Sequence, residues 1–455
     1  MLKRLFSFLG ENIRWVILTL IWLFAGMYTG PFVYAVLPVC LLLMKRLEMN
    51  LGLLLGFFLI LTLSDSRQPQ FMFAENAKNI YIVMLGLFLF TDLKKFQPFE
   101  KVYKRYIVFL ILAAIGLMFS PVVATSFQKL ISYLLILLVI PNYLARVYRE
   151  NGDKALYAVG LLGALVLLSG LVLRFLAPEF VSLEGRFSGI LGNPNGLGLF
   201  CLLFFVLFAV MNEIRPQAFT RTERYIIYAI IILSMVLSGS RNSIFTILLF
   251  ILFRTFFRLS PLLGFMLVAG IIISYQLILA NATSIILSMG LEEYFRLETL
   301  ETGSGRIVAW DFGWEHITKS PVFGGGIEFT NWLYKQNYQF LSMQGHQGNA
   351  HNSFITFWLD TGIIGLLAYI WGTFAVFIKG SARTRSSLPA MYALLFSAFF
   401  ESWLTASLNP FTIQFVMIMT LITSPAFETV SVPAEETPLP PPQPGKLIPA
   451  HLRDI

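Results

Sequence analysis

Charged residues are scarce in this sequence. Asp, Glu, Lys and Arg make up 13% of its 455 residues, whereas 57% are hydrophobic and 15% aromatic. Soluble globular proteins carry about 25% charged residues, so the shortage excludes an ordinary soluble domain and indicates a polytopic membrane protein. The net charge of +8 does not require a nucleic-acid partner, because basic residues in membrane proteins mark cytoplasmic loops. We expect no nucleic-acid binding.

Cysteine and the common catalytic motifs are also lacking. The two cysteines, Cys40 and Cys201, lie in apolar runs without a CxxC partner, which excludes a disulfide framework and a zinc site. The sequence has no Walker loop, no GxSxG and no HExxH. We therefore predict no cofactor and no metal.

Long apolar runs separated by short polar segments dominate what remains. A run of about 20 apolar residues crosses a bilayer as a helix, and the sequence predicts about 14 spans, several of them shorter than this length. They cover residues 13–28, 30–44, 50–63, 79–92, 106–120, 124–144, 155–177, 194–212, 225–238, 243–259, 262–280, 351–378, 388–405 and 408–426. The first run is followed almost at once by a second, which favours a retained span over a cleaved signal peptide.

The basic residues fall on alternate loops between these spans, and cytoplasmic loops retain Lys and Arg. An even number of spans with both termini in the cytoplasm places all of these groups on the cytoplasmic side. The groups are Lys3/Arg4, Lys45/Arg46, Lys94/Lys95/Lys101/Lys104/Arg105, Arg146/Arg149/Lys154, Arg215/Arg221/Arg224, Arg254/Arg258 and Lys379/Arg383/Arg385. The predicted fold class is all-α, a polytopic bundle of about 12–14 transmembrane helices with a large outward loop that contains short helices.

Two outward loops are longer than the others, residues 178–193 and about 281–350. Loops longer than about 15 residues are usually functional or disordered, and the second loop is rich in Trp, Tyr, Phe and Gly, which argues against disorder. Its residues 305–319 predict a short amphipathic helix at the membrane surface. The apolar positions of this helix are Ile307, Trp310, Trp314 and Ile317.

This pattern divides the chain into three parts. Residues 1–177 form the N-terminal spans, residues 178–426 form a membrane region with both long outward loops, and residues 427–455 form a Pro-rich tail. Residues 431–455 of the tail are predicted to be a disordered cytoplasmic extension.

Arginines are few on the outward side, and three lie at or near membrane boundaries. Arg186 precedes Asn193 and Pro194, which predict the N-cap and first residue of a helix whose positive dipole end points outward. A guanidinium beside that helix start suits an anionic group, although a lone arginine there more often reaches lipid head groups. Arg241, in LSGSRNS, either ties its turn through backbone carbonyls or contacts a ligand. Arg306, in GSGRIVAW, begins the amphipathic helix, and ligand binding is favoured there.

His351 is the best of four histidines for acid–base chemistry, since an imidazole accepts a proton near neutral pH. A histidine at the entrance of a span is more often only a cap or an interfacial polar residue. His346, five residues earlier, is either the actual base or a partner that supports it. His316 is assigned to the polar face of the amphipathic helix.

Two carboxylates, Asp360 and Glu401, lie inside predicted spans, where ionisable residues are rare. We expect both to hold helices together by hydrogen bonds. Gly362 and Gly365 are three residues apart and predict the close approach of another helix.

Several of these stretches together resemble the O-antigen ligase/polymerase superfamily of bacterial envelope glycan enzymes. They are GRFSGILGNPNG, SGSRNS, GSGRIVAW, SPVFGGGIEF and HNSFITFWLDTGIIG, and they lie between about residues 180 and 370. The last stretch fits the ligase pattern of His, then Asn, Ser or Gly, nine residues, Gly, two residues and Gly. The residues that fit it are His351, Asn352, Gly362 and Gly365.

The resemblance implies a membrane glycosyltransferase that uses an undecaprenyl-diphosphate-linked glycan as donor and needs no metal. In such ligases arginines bind the diphosphate and a histidine acts as base. Arg186 and Arg306 match the arginines, with Arg241 as a third candidate, and His351 matches the base. The supporting residues are Asn352, Asn193, Asn195, Gly362 and Gly365.

The resemblance also implies a place and an acceptor. The protein is expected in the bacterial inner membrane with its active site facing the periplasm, among membrane lipids, and its acceptor is expected to be a hydroxyl of lipid A-core or a similar molecule. Only Asp65 and Glu75 offer weak substitutes for the carboxylate that holds a metal in metal-dependent membrane glycosyltransferases. Arginines are therefore expected to stabilise the diphosphate.

Two alternatives remain open. A polymerase of the same superfamily would use another lipid-linked glycan as acceptor, and the histidine pattern only favours the ligase. A lipid-glycan flippase or another transporter would have a similar number of spans. Transporters tend to place charge at the bilayer midplane and to show internal repeats, whereas the polar residues here gather on one face.

Overall fold

The computed structural model describes residues 2–289, 306–346 and 348–428, which are almost entirely helical. The predicted disordered tail, residues 431–455, and part of the second outward loop lie outside the described residues. The described helices are α1 (Leu2–Glu11), α2 (Ile13–Thr29), α3 (Val33–Arg46), α4 (Asn50–Ser64), α5 (Phe73–Thr91), α6 (Ile107–Gly116), α7 (Val123–Asn151), α8 (Asp153–Leu176), α9 (Pro194–Ile214), α10 (Arg221–Ser238), α11 (Arg241–Leu259), α12 (Pro261–Ser288), α13 (Arg306–Ile317), α14 (Phe329–Gln336), α15 (Tyr338–Met343), α16 (Ser353–Ser381), α17 (Ser387–Phe400) and α18 (Pro410–Thr423).

Each predicted span coincides with one helix in the series α2 to α12 and α16 to α18. Within the described residues, eight helical segments are long and apolar enough to cross a membrane, and α4, α17, α18 and the first part of α12 are shorter apolar helices. These helices confirm the predicted fold class, an all-α polytopic membrane bundle. The number of crossings and their direction remain predictions.

Helix α9 lies at the centre of the bundle. It packs against α10, α11 and α18, and its residues are buried on every side from Leu197 to Met211. Phe200, Phe204 and Phe208 are fully buried along its length, with neighbouring ring centroids 6.1 Å apart. A helix that is apolar all round is stable only where other elements cover every face. The continuous apolar run of this segment therefore corresponds to a core helix.

The basic end of the bundle is held together by ion pairs between distant segments. Arg4 of α1 pairs with Glu223 of α10 at 2.9 Å, and Lys154 of α8 pairs with Glu11 at 2.8 Å. Residues from two of the basic groups and their acidic partners thus meet at one end. The two long loops that are predicted to face outward connect helices at the opposite end.

At that opposite end, a loop runs against an interruption in α16. Gly362 has a φ of +68°, a left-handed conformation that glycine adopts without a steric penalty. The N–H of Gly325 donates to the carbonyl of Leu359 at 2.8 Å, and the N–H of Ile363 donates to the carbonyl of Pro321 at 2.9 Å. The segment 320–327 is thereby joined to the helix through main-chain atoms.

Gly362, predicted together with Gly365 to be the contact point for another helix, contacts a loop instead. A Cβ on Gly362 would lie 2.0 Å from the carbonyl oxygen of Val322, so this glycine admits the loop. A Cβ on Gly365 would lie 2.3 Å from Oγ1 of Thr361, one turn earlier on the same helix. The close approach is real, but its partner is a loop because the main-chain hydrogen bonds bring that loop to the helix.

The predicted amphipathic helix is present as α13, and two of its four predicted apolar positions are exposed on the bundle. Its buried residues are Ala309, Gly313 and Ile317, and the helix packs on α16. Ile307 and Trp314 are 48% and 53% exposed. The small residues Ala309 and Gly313 allow α13 to lie close to α16, and the larger residues Ile307 and Trp314 remain exposed. The position of α13 at a membrane surface remains a prediction.

We predict that Gly362→Ala destabilises the folded protein. An alanine at a positive φ costs about 1–3 kcal/mol, and its Cβ would also meet the carbonyl of Val322. Thermal unfolding of the detergent-solubilised protein should show a clearly lower midpoint. Gly270→Ala in α12 is the matched control, because a Cβ there meets nothing within 4 Å. Equal midpoints for the two variants would contradict the assignment.

Candidate active site

One carboxylate joins two of the residues predicted from the sequence. Glu401 immediately follows α17, and its Oε1 accepts a hydrogen bond from Nη2 of Arg306 at 2.7 Å. Its Oε2 lies 3.5 Å from Nδ1 of His351. The three side chains are 17%, 22% and 35% exposed, in the order Glu401, Arg306 and His351. The arrangement places a guanidinium, a carboxylate and an imidazole in one partly buried cluster.

Glu401 is the functional candidate that the sequence analysis missed. The predicted span 388–405 placed it inside the membrane, where we expected only a hydrogen bond between helices. Helix α17 ends at Phe400, so Glu401 lies just beyond the helix. The available signal was a lone carboxylate in an apolar run, in FFESWL, which is a reason to consider function.

His351 is held in an unusual backbone conformation. Its φ is +45°, in the left-handed region that few residues other than glycine adopt. Its N–H donates to Oδ1 of Asn349 at 2.9 Å, and the N–H of Asn352 donates to Oγ of Ser402 at 3.0 Å. Such conformations persist only where the surroundings impose them, and they are concentrated at functional sites.

Asn352 and His346 support this loop in different ways. Asn352 is the N-cap of α16, and its side chain accepts from the N–H groups of Phe354 and Ile355 at 2.9 and 3.1 Å. His346 is buried, and its Nε2 lies 3.0 Å from the carbonyl oxygen of Asn349. The rings of His346 and His351 are nearly perpendicular, with centroids 5.9 Å apart. His346 therefore contacts the loop that carries His351.

Arg186 lies in a short hairpin and reaches the ends of two helices. The strands β1 (Ser182–Leu183) and β2 (Arg186–Phe187) are antiparallel, with Leu183 opposite Arg186. Nε and Nη2 of Arg186 donate to the carbonyl of Ser238 at 3.1 and 2.7 Å, and Nη2 also donates to Asn195 at 3.2 Å. The guanidinium thus contacts the C-terminal end of α10 and the first turn of α9.

The start of α9 has the predicted cap. The side chain of Asn193 accepts from the N–H groups of Asn195 and Gly196, and Pro194 is the first helical residue. The predicted N-cap and helix start are confirmed. The Arg186 guanidinium lies next to this first turn, because it donates a hydrogen bond to the side chain of Asn195.

Arg241 is the first residue of α11. The start of this helix contacts α9 on one side and the end of α17 on the other. Gly198 of α9 packs so closely on Ser240 that a Cβ would lie 2.3 Å from the serine Cβ. The side-chain amide of Asn242 donates to the carbonyl of Ser397 at 3.4 Å, one turn before Glu401. The helix ends near Arg186 are therefore linked to the segment that carries Glu401.

A polar cavity of about 380 Å³ lies beside the loop of His351. Asn349 and Ser402, which bond the main chain on either side of His351, form part of its wall. Its other walls carry amide, hydroxyl and charged side chains, among them Gln128, Lys129 and Thr405. Such a lining offers donors and acceptors to a ligand with many hydroxyl groups.

One ion pair and two main-chain hydrogen bonds fix the loop at this cavity. Lys129 of α7 pairs with Glu328 at 2.6 Å. Burial alone would raise the pKa of Glu328, but the charge and hydrogen bond of Lys129 outweigh it, and the pKa is lowered. Asp360 of α16 accepts from the N–H groups of Glu328 and Thr330 at 3.2 and 2.8 Å. Asp360 thus forms hydrogen bonds as expected, although its partner is the loop and α14.

Asp65 is a further titratable group at this end. It follows α4, and a Cβ on Gly196 in the first turn of α9 would lie 3.3 Å from its Oδ2. Burial raises the pKa of Asp65 to about 7, although the charges of Lys78 and Arg67 act in the opposite direction. Lys78 also lines the cavity. Within the described part of the chain, no group of three or more His, Cys, Asp or Glu side chains is arranged to hold a metal ion.

These features define a class of protein, a helical membrane protein with a polar site of arginine, glutamate and histidine at one end of its spans. Residues 226–370 match the family described as O-antigen ligase. The match confirms the resemblance to the superfamily and supports a membrane enzyme of the O-antigen ligase or polymerase type. No curated protein matches the chain. The matched segment contains Arg241, Arg306 and His351, whereas Arg186 and Glu401 lie outside it.

We predict that Arg306 and Glu401 are energetically coupled. Removal of one member of a partly buried ion pair leaves the other charge without its partner, so each single change, Arg306→Gln or Glu401→Gln, should lower the unfolding midpoint. The double variant should be less destabilised than the sum of the two, with a coupling energy of about 0.5–3 kcal/mol. Additive effects in a thermal-unfolding cycle would contradict the observed contact.

Proposed function

We propose that this protein is a glycosyltransferase of the O-antigen ligase type. It transfers a glycan from undecaprenyl diphosphate to a hydroxyl of lipid A-core or a similar acceptor, in the bacterial inner membrane with the site facing the periplasm. The observation that carries the proposal is the position of Glu401 between Arg306 and His351. An anion-binding guanidinium and a proton acceptor in one cluster are what this transfer requires.

The arginines bind the donor diphosphate. Arg306 has five N–H donors in a planar fork that matches phosphate oxygens, and Glu401 accepts a hydrogen bond from its Nη2. Arg186, whose guanidinium contacts the first turn of α9, and Arg241, the first residue of α11, extend the positive region. The positive dipole ends of both helices contribute to it. The negative charge that develops on the leaving diphosphate is stabilised without a metal.

His351 removes the proton from the acceptor. The acceptor oxygen forms its bond to the anomeric carbon as the bond from that carbon to the diphosphate oxygen breaks. The electron pair of the broken bond leaves with undecaprenyl diphosphate, and the hydroxyl proton passes to the imidazole. Glu401 stabilises the imidazolium that results, and a single displacement of this kind inverts the configuration at the anomeric carbon.

The polar cavity holds sugar residues next to the reacting atoms. Asn349 and Ser402 place its wall beside His351, and its amide and hydroxyl groups suit the hydroxyls of a glycan. Lys78 adds positive charge for an acidic or phosphorylated sugar, whereas the charge of Lys129 is paired with Glu328.

We predict that His351→Asn lowers the transfer rate by about 10²–10⁴-fold, because a positioned general base contributes a factor of this size. Asparagine adopts the left-handed conformation more readily than alanine does, so the variant tests the imidazole without adding backbone strain. The measurement is glycan transfer by the pure protein from lipid-linked glycan, with lipid A-core and a second lipid-linked glycan as separate acceptors, each with and without chelator.

His346→Asn is the companion variant and should lose less activity than His351→Asn. A folded His351→Asn protein that transfers glycan at the normal rate would exclude His351 as the base. Product on the second lipid-linked glycan alone would identify a polymerase. Loss of transfer in chelator would refute the metal-independent mechanism.

We also predict that Arg306→Lys weakens donor binding about tenfold or more. Lysine keeps the charge but loses the fork, and a hydrogen bond to a charged group is worth about 1.5–3 kcal/mol. Binding of undecaprenyl diphosphate to the solubilised protein measures the effect directly. Arg174→Lys, in an exposed arginine at the end of α8, is the control and should bind as the unmodified protein does. Equal affinities for both variants would argue against a diphosphate role.

A further inference from the structure

A second and larger cavity lies at the basic end of the bundle, far along the helices from the site of His351. It has a volume of about 760 Å³ and lies between α9, α10 and α11. Helices α10 and α11 meet at Gly239, both pack on α9, and the cavity separates them at the other end. None of its lining residues contributes to the proposed transfer.

One part of this cavity is apolar and accessible from the side of the bundle. Phe205 and Ala209 of α9 form its floor, where the ring of Phe205 packs on Tyr228 with centroids 5.1 Å apart. Ile232 of α10 and Ile251 of α11 stand at its two edges and are 45% and 47% exposed. In a membrane, these exposed edges face lipid tails, so a hydrocarbon chain can lie in the slot.

The other part of the cavity is strongly basic. Arg254 and Arg258 of α11 and Arg385 of the connection between α16 and α17 line it. Its carboxylate, Glu213, pairs with Arg254 at 3.3 Å and accepts from the main-chain N–H of Arg385 at 2.6 Å. Glu213 also accepts from the hydroxyl of Ser386. These bonds hold the Arg385 segment at the cavity and leave an excess of two positive charges among the four charged groups.

We infer that this cavity binds an anionic phospholipid, with the phosphate of the head group against the arginines and an acyl chain in the apolar slot. Arginine forks bind phosphate oxygens, and the predicted topology places these arginines in the cytoplasmic leaflet, where basic residues near the surface attract anionic lipids. Neither half of the cavity alone specifies this ligand. A free phosphate would leave the slot empty, and a zwitterionic lipid would not match the charge.

The test is lipid binding to the full-length, delipidated protein, measured by native mass spectrometry with phosphatidylglycerol and with phosphatidylcholine of the same acyl chains. The unmodified protein should bind phosphatidylglycerol more tightly. The variant Arg254→Gln/Arg258→Gln/Arg385→Gln should bind phosphatidylglycerol at least tenfold more weakly. The matched control is Arg14→Gln/Arg46→Gln/Arg105→Gln, which loses the same charge at three exposed arginines outside the cavity and should retain binding.

A second variant tests the acyl slot separately. Ile251→Trp keeps all three arginines and fills the slot from its exposed edge, so the fold should be unaffected and phosphatidylglycerol binding should fall. Equal binding by the arginine variant and its control would overturn the proposal. Equal binding of phosphatidylglycerol and phosphatidylcholine would also overturn it. The ligand would instead be a soluble anion if glycerol phosphate displaced phosphatidylglycerol completely and Ile251→Trp bound phosphatidylglycerol as the unmodified protein does.

Discussion

The candidate site depends on one carboxylate, Glu401, that lies between a guanidinium and an imidazole. Arg306 and His351 come from different ends of the second outward loop, and Glu401 comes from the end of another helix, so no local preference brings them together. Glu401 accepts from Arg306 and lies within ion-pair distance of His351. The side-chain hydroxyl of Ser353 in turn donates to the carbonyl of Glu401 at 2.7 Å, which joins its main chain to the start of α16. The same few contacts thus fix the position of Glu401 and pair its charge.

Hydropathy was sufficient to predict the long apolar helices in the described part of this protein. Every predicted span corresponds to a helix, because a long apolar run has few stable conformations other than a helix in a lipid-facing or fully covered position. The N-cap at Asn193 was also predictable, since asparagine before proline is a local signal. The face of α13 that packs on α16 was not predicted, because Ala309 and Gly313 contribute little to a hydrophobic pattern although they permit close packing.

The candidate site was predictable only in part, for a physical reason. His351 and Arg306 could be selected as candidates from their residue type and their position along the chain, and the sequence analysis selected both. The role of Glu401 depends on contacts with residues 50 and 95 positions away and on a helix that ends one residue earlier. Neither of these is a local property. Gly362 shows the same limit, because its spacing revealed a close approach without revealing that a loop makes it.

The junction of the outer loop with α16 has a consequence for how such a protein can change. Its hydrogen bonds join main-chain atoms of Gly325 and Leu359, and of Ile363 and Pro321. Main-chain bonds do not depend on which side chains the neighbouring positions carry. Substitutions on the outer face of α14 and α15 can therefore accumulate without displacing the loop. The same fold could in this way acquire a different glycan preference while the attachment of the loop to α16 stays unchanged.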